Sequence, residues 1–207
     1  MSRKQFDLII IGTGSGNSIL TPAFDDWNVA IVEKDVFGGT CLNRGCIPTK
    51  MFVYAADLVE QVRHAHRLGI NATVTATRWR DTRDRIFGRI DPIAEGGEDY
   101  RTNRCPNVTV FRGAARFLGT HRISVNNEVI EGKHVVIAAG SRPTIPDIPG
   151  LQDCGFLTSD TIMRIDEVPR RLVILGGGFI ACEMAHVLEA FGSRVTVVNR
   201  GADLLRG

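Results

Sequence analysis

The 207-residue sequence predicts an α/β fold built from two copies of one unit: a strand, a glycine turn, a helix and a second strand. Three observations carry that reading. An apolar run over residues 6–11 leads directly into Gly12-Thr13-Gly14-Ser15-Gly16-Asn17. A second run over 171–175 leads into Gly176-Gly177-Gly178-Phe179-Ile180-Ala181. Between them, Pro143, Pro146 and Pro149 space out an extended linker over 141–150. The expected organisation is a first domain over 1–149 and the start of a second over 150–207.

Each element has its own signal. Apolar residues in close succession mark a parallel strand buried on both faces, so 6–11 reads as the first strand. A helix is expected over 18–24, shortened or bent by Pro22. Residues 29–32 form the next strand, which ends at Glu33. Met51, Ala55, Leu58, Val62 and Ala65 recur at helical spacing and place an apolar stripe on a long helix. Trp79, Ile86, Ile90 and Ile93 mark another helix, which Gly96 and Gly97 interrupt or end. Short strands are expected at 108–111, 122–125 and 129–130, and a firmer one at 134–139, ending at Gly140. Beyond the linker come a strand at 171–175, a helix to about Phe191 with Gly192 as its stop, and a strand at 194–198.

The bulk numbers exclude several function classes. Hydrophobic residues make up 43% and charged residues 23%, ordinary for a globular chain. The net charge of +2 is spread along the sequence, so no strong field draws nucleic acid or a membrane surface. No segment offers the roughly 20 consecutive apolar residues of a membrane span. The apolar start reads as a strand and not a signal peptide, which points to the cytoplasm. Five cysteines, an odd number, argue against a secreted disulfide framework and for a reducing compartment. Cys105, Cys154 and Cys182 read as ordinary thiols.

The two glycine turns are Rossmann-like dinucleotide fingerprints. In the first, Gly12 permits the tight turn, Gly14 lets the backbone approach a pyrophosphate, and the following helix offers free amides. Glu33 lies roughly 20 residues on, where an acid binds a ribose hydroxyl. Asn17 stands where Gly or Ala is usual, and Gly16 beside it can compensate. A glycine turn without ligand is the alternative. In the second turn, Gly176, Gly178 and Ala181 fit the permitted Ala variant. The strand after it ends in Asn199-Arg200, with Arg206 further on, and no acid stands in the ribose position. Two guanidinium groups suit a ribose 2′-phosphate, which selects NADPH. The alternative is that both arginines are solvated surface charges.

The most informative stretch is Gly38-Gly39-Thr40-Cys41-Leu42-Asn43-Arg44-Gly45-Cys46-Ile47-Pro48-Thr49-Lys50. Its two cysteines are five positions apart. Wound as opening helical turns, with a local distortion absorbing the extra residue, that spacing can bring the sulfurs together. A helix N-terminus stabilises a thiolate, as would a cation such as Lys50. Zinc prefers pairs two to four residues apart with a second pair elsewhere, which this chain lacks, so no metal is expected. Chance spacing of two inert thiols is the other alternative.

At these residues the chain resembles the pyridine nucleotide–disulfide oxidoreductases, the family of glutathione reductase and dihydrolipoyl dehydrogenase, along its whole length. Further segments resemble the mycothione reductase branch: Gly12 to Leu20 with its Asn17, Met51-Phe52-Val53-Tyr54-Ala55-Ala56, Phe87-Gly88-Arg89-Ile90-Asp91-Pro92-Ile93-Ala94, and Ser159-Asp160-Thr161-Ile162-Met163-Arg164-Ile165.

The resemblance implies FAD at the first turn and NADPH at the second. FAD would meet Gly12, Gly14, Ser15, Gly16, Asn17, Glu33 and Lys34, then Gly39, Thr40, Cys41 and Lys50. Ala114 and Ala115 resemble the stretch that meets the adenine, and Ala139, Gly140 and Ser141 a second flavin-contacting turn. NADPH would meet Gly176, Gly178, Phe179, Ile180, Glu183, Arg200 and Arg206. By family pattern Cys41 and Cys46 form a redox disulfide, with Cys46 toward the flavin and Cys41 toward a small disulfide substrate, mycothione by the closer resemblance. Lys50 and Glu183 match a pair beside the reactive end of the isoalloxazine, and a buried carboxylate there would need its partner.

The resemblance also implies parts that these residues do not carry. The flavin domain resumes after the nucleotide domain, and a C-terminal domain makes a homodimer and supplies a catalytic His–Glu pair. His64, His66, His121, His134 and His186 match no such motif. The chain is therefore expected to be the N-terminal part of an enzyme, with both domains incomplete and poor folding in isolation. Dihydrolipoyl dehydrogenase activity and an inactive FAD- or NADPH-binding fragment are alternatives. A flavin hydroxylase or ferredoxin reductase relationship is disfavoured by the cysteine motif.

Overall fold

The computed structural model describes residues 4–205. Arg206 therefore lies outside the described residues. The chain divides into two compact units, Met1–Asn43 with Ile90–Thr144, and Arg44–Arg89 with Ile145–Gly207. The fold is mixed α/β, with a mostly parallel, Rossmann-like sheet.

The first unit holds β1 (Lys4–Ile11), β2 (Val29–Glu33), β3 (Val108–Arg112), β4 (Ala115–Gly119), β5 (Arg122–Val125) and β6 (Glu128–Ile137). They form one sheet in the order β3-β2-β1-β6-β5-β4. β1 pairs in parallel with both β2 and β6, and β2 with β3. The remaining β4-β5-β6 ladder is antiparallel. The central strands are apolar at successive positions because both faces are covered. Phe6, Ile9, Ala30, Val32 and Phe111 pack on one face. Leu8, Ile10, Val29, Ile31 and Phe37 pack on the other.

Two expectations change here. The segments 129–130 and 134–139 belong largely to one strand, the ten-residue β6, which ends at Ile137. Gly132 does not break it. The glycine instead admits Ile9, whose Cγ1 lies 2.7 Å from where a Cβ would stand. The helix expected over 18–24 is absent. Two short 3-10 turns, Ser15–Ile19 and Pro22–Phe24, replace it. Pro22 removes an amide from any helical ladder there.

The second unit contains α2 (Cys46–His64), part of α3 (Trp79–Asp99), β7 (Arg171–Leu175), α4 (Phe179–Ala190) and β8 (Arg194–Val198). It is preceded in sequence by α1 (Gly39–Arg44). β7 and β8 pair in parallel, in register from Arg171 opposite Arg194. Gly192 ends α4 with φ +99, while the Gly192 and Ser193 amides bond Glu189 O and Leu188 O. This is the glycine stop that the sequence suggests.

The buried stripe of α2 is Pro48, Thr49, Phe52 and Ala56, not the expected Met51, Ala55, Leu58, Val62 and Ala65. Leu58 is 58% exposed. Phe52 is fully buried and stacks on Trp79, with ring centroids 4.7 Å apart. An aromatic anchor thus sets the helix phase and leaves smaller apolar residues at the margin. Phe52→Ala is expected to cost about 3–5 kcal/mol of stability, seen as a lower midpoint of thermal unfolding. A loss below about 1 kcal/mol would show that this stack is not a core contact. Gly96 and Gly97 stay within α3, although an interruption or end was expected there, and Pro92 lies inside the helix as well. Burial of Ile86, Phe87, Ile90 and Ala94 offsets the low helix propensity of glycine.

A latch from the linker side completes this unit. Trp79 Nε1 donates to Ile165 O at 2.8 Å, and Arg83 donates to Ile165 O at 3.0 Å and to Asp166 Oδ1 at 2.6 Å. The hydrogen bond from Arg83 holds the Asp166 carboxyl below its usual range. The pair's contribution is therefore present above the ordinary carboxylate range and is lost as pH falls through and below it.

Candidate functional site

The first glycine turn is a rigid cradle. Gly12 has φ +106, and its amide donates to Val32 O at 2.8 Å. A Cβ on Gly12 would lie 2.2 Å from Ala138 O, and one on Gly16 would lie 2.2 Å from the Ala138 Cβ. Ala138, the residue after β6, therefore fills the hollow that two glycines leave. Gly39 has φ +65 and passes so close to Gly14 that a Cβ would stand 2.6 Å from its Cα. Asn43 holds this approach, donating to Phe37 O at 2.7 Å and to Gly39 O at 3.0 Å.

Glu33 closes the cradle from the end of β2. It is buried, and its Oε2 accepts from the Thr13 amide at 3.0 Å and the Thr13 hydroxyl at 2.6 Å. Its Oε1 accepts from the Asp35 amide at 2.8 Å. An ionised carboxylate offers about four acceptor sites, so one remains for a ribose hydroxyl. The first amides of the turn at Ser15 lack intrahelical acceptors by geometry and suit phosphate oxygens. Asn17 Nδ2 donates to Gly12 O at 3.3 Å, while its Oδ1 is buried without a partner. This donor and acceptor set fits a dinucleotide. The α-helix expected after the turn is not part of it, because only a five-residue 3-10 turn follows.

The cysteine segment divides at Gly45, where φ −139 and ψ −123 separate α1 from α2. Cys41 lies on α1, Cys46 is the first residue of the nineteen-residue α2, and both are exposed. The macrodipole of α2 favours negative charge at Cys46, and Lys50 follows one turn later on the same face. Lys50 Nζ donates to Glu183 Oε1 on α4. Lys50 is 67% exposed and Glu183 28%, so this pair sits at a surface. The expected buried carboxylate is thereby corrected: the two helices present these positions at the edge of their contact, where a long ammonium side chain reaches across.

At the second turn, Gly176 has φ +112 and its amide donates to Val198 O at 2.9 Å. Gly178 is the N-cap of α4 and has no side-chain cap. The first amides of α4 therefore face outward to any anion. Phe179, Ile180 and Arg200 are exposed beside it.

The family pattern described as pyridine nucleotide-disulphide oxidoreductase matches residues 6–207. This chain belongs to that family. Mycothione reductase from Mycobacterium tuberculosis strain H37Rv is 52% identical over 98% of the chain and 45% of its own length. Glutathione reductase from Burkholderia cepacia is 32% identical over 100% of the chain and 46% of its own length. Among solved structures, the HOCl-induced flavoprotein disulfide reductase RclA from Escherichia coli superposes with a TM-score of 0.82 at 30% identity. That match covers 96% of this chain and 43% of RclA. The chain spans about half the length of the curated relatives it matches.

Membership in the pyridine nucleotide-disulphide oxidoreductase family implies a flavin and a nicotinamide cofactor. The first unit of this family member brings Gly12, Gly14, Gly16, Asn17, Glu33 and Gly39 into one cradle. Lys34, Thr40, Ala114, Ala139, Gly140 and Ser141 are exposed, and Ser15 and Cys41 are exposed too. Ala115 starts β4, a strand without a sequence signal of its own. In the second unit Lys50 and Glu183 meet, and Gly176 and Gly178 frame α4. Sequence reasoning passed over Thr13, which ties the turn to Glu33 and accepts from the Gly38 amide at 3.2 Å. It also passed over Ala138, Asn43 and Gly177. A Cβ on Gly177 would stand 2.7 Å from Asn199 Cγ, so the tightest glycine of that turn is the middle one. A short polar residue inside each glycine or cysteine motif is the signal that was available for Thr13 and Asn43.

Proposed function

We propose that this chain supplies the flavin and pyridine-nucleotide machinery of an NADPH-driven, FAD-dependent reductase of a low-molecular-weight disulfide, with mycothione as substrate. The observation that carries the reading is the cysteine motif opening α2, with Cys46 at its first position and the Lys50–Glu183 pair one turn on. The 52% identity to a mycothione reductase supports the substrate.

On this reading, residues 1–149 form the flavin domain and 150–207 begin the nucleotide domain. Glu33 accepts a ribose hydroxyl of FAD, and the amides from Gly14 to Gly16 receive its pyrophosphate. Gly176 and Gly178 admit the NADPH pyrophosphate to the N-terminus of α4, and Arg200 with Arg206 binds the 2′-phosphate. When bound, the two cofactors deliver two electrons as a hydride equivalent. Cleaving the Cys41–Cys46 bond with two electrons and one proton leaves one thiol and one thiolate. The Cys41 sulfur then attacks the substrate disulfide, forming a mixed disulfide and releasing the first thiol once protonated. Cys46 attacks Cys41 of the mixed disulfide, expels the second thiol and restores the Cys41–Cys46 bond. Lys50 holds positive charge near these sulfurs, and Glu183 fixes its ammonium. The homodimer of the family is the assembly in which this chemistry is expected.

Turnover with a panel of disulfides tests the substrate, and a cofactor split tests NADPH. In the flavin-loaded protein, Arg200→Ala with Arg206→Ala should raise the Michaelis constant for NADPH at least about tenfold, the scale of a lost charge-assisted contact, with little change for NADH. Equal effects on both cofactors rule out the 2′-phosphate role. Preference for dihydrolipoamide or glutathione disulfide over mycothione rules out the substrate.

A further inference from the structure

Three cross-helix pairs join α2 to α4. Lys50 meets Glu183. His186 Nε2 donates to Asp57 Oδ1 at 2.8 Å. Arg63 Nη1 donates to Glu189 Oε2 at 2.8 Å and to Glu60 Oε1 at 2.6 Å. On α4 the three partners, Glu183, His186 and Glu189, follow one another at successive turns. The charges alternate along α2, and on α4 a hydrogen-bonding imidazole separates two carboxylates. Along α2 they run cation, anion, cation, and along α4 carboxylate, imidazole, carboxylate.

That alternation makes the pairing specific to one register. Sliding α4 by a single turn in either direction places a carboxylate, Glu183 or Glu189, opposite Asp57. Like charges at contact oppose the slip, while the native register satisfies every pair. A ladder of uniform sign would hold the helices together without choosing among registers. His186 is thus the position on α4 that determines where Glu183 comes to rest.

We infer that His186 and Asp57 are positioning residues that lock α4 in register with α2, so that Glu183 stays on the Lys50 ammonium. The inference rests on the proposed role of Lys50 and Glu183 beside the flavin. Neither His186 nor Asp57 touches the reacting atoms; both act through the Lys50–Glu183 pair.

Two readouts test this in the flavin-loaded protein. The first is the rate of acetylation of the Lys50 amine by acetic anhydride, followed by mass spectrometry. Asp57→Asn and His186→Gln should both raise that rate toward the value in Glu183→Gln, and Asp57→Glu should restore it. The second is rapid-mixing reduction of the flavin by NADPH. The limiting rate should fall about tenfold in both variants, because an ångström of misplacement at a reacting group has effects of that order or larger. The NADPH dissociation constant and the unfolding midpoint should hold steady, since an exposed pair contributes little to stability. Wild-type labelling of Lys50 in both variants overturns the inference. A fall in the unfolding midpoint that tracks the rate loss also overturns it, because the pair is then merely structural. If NADPH fails to reduce the flavin of the unaltered protein, the proposed function falls, and the labelling comparison still decides the register.

Discussion

Gly12→Ala will cost the protein its first glycine turn, and making room at Ala138 will not recover it. Two penalties combine at this position. The backbone at φ +106 is one that an L-residue rarely adopts, a strain of about 1–3 kcal/mol. The new methyl would also stand 2.2 Å from Ala138 O, a backbone atom anchored just after β6. Together they should lower stability by about 3 kcal/mol or more, roughly 6–12 °C in unfolding midpoint for a chain of this size. Flavin retention should be lost with it. Gly16→Ala is the informative contrast. Its clash, also 2.2 Å, is with the Ala138 side chain, and no positive φ is involved. Overpacking of this kind costs about 1–3 kcal/mol. Adding Ala138→Gly to Gly16→Ala should therefore recover most of the stability and flavin content, and adding it to Gly12→Ala should recover little. Equal rescue of both would show that the cradle is shaped by side-chain packing and not by its backbone.

Cys41→Ser and Cys46→Ser should each abolish disulfide turnover, by about 10⁴-fold or more, because a hydroxyl neither forms nor exchanges a disulfide. Their spectra should differ. On anaerobic reduction with NADPH, the flavin-loaded Cys41→Ser protein should keep a long-wavelength absorbance band, which needs a thiolate against the flavin. Cys46→Ser should lack it. The positional argument is the start of α2: Cys46 occupies the first residue of a nineteen-residue helix, whereas Cys41 lies on the six-residue α1 before the Gly45 break. A thiolate is favoured at the end of the longer dipole. A band that survives in Cys46→Ser would falsify this division of roles. A protein that reduces disulfides with both cysteines replaced would remove the motif from the mechanism altogether.

The legible part of this protein follows from short-range rules. Apolar runs at 6–11 and 29–32 could only be strands covered on both faces, and they stand at the centre of the six-stranded sheet. Gly12 and Gly176 announced positive φ by lacking a side chain where a strand must turn. Gly192 announced the end of α4 for the same reason. Periodicity did less well where a single large anchor outweighs several small residues. Phe52 turned α2 so that Phe52 and Ala56 face inward and Leu58 outward. Pro22 was readable as a disturbance, yet the replacement of the helix by two 3-10 turns, Ser15–Ile19 and Pro22–Phe24, was not. The extent of β6 depended on what Gly132 packs against, namely Ile9 on β1.

The sequence by itself determined the α/β class, the two glycine turns, the acid that follows the first and the cysteine motif that opens α2. Each is encoded in neighbouring residues, through periodicity, permitted dihedrals or fixed spacing. Tertiary structure alone decided what those motifs touch. Ala138 enters the hollow of Gly12 and Gly16, Asn43 draws Gly39 onto Gly14, and His186 finds Asp57 on α2. Ala138 and His186 are far in sequence from what they contact, while Asn43 bonds residues four and six positions away. Their roles arise from strand order and helix register, which place distant backbone atoms within ångströms of one another.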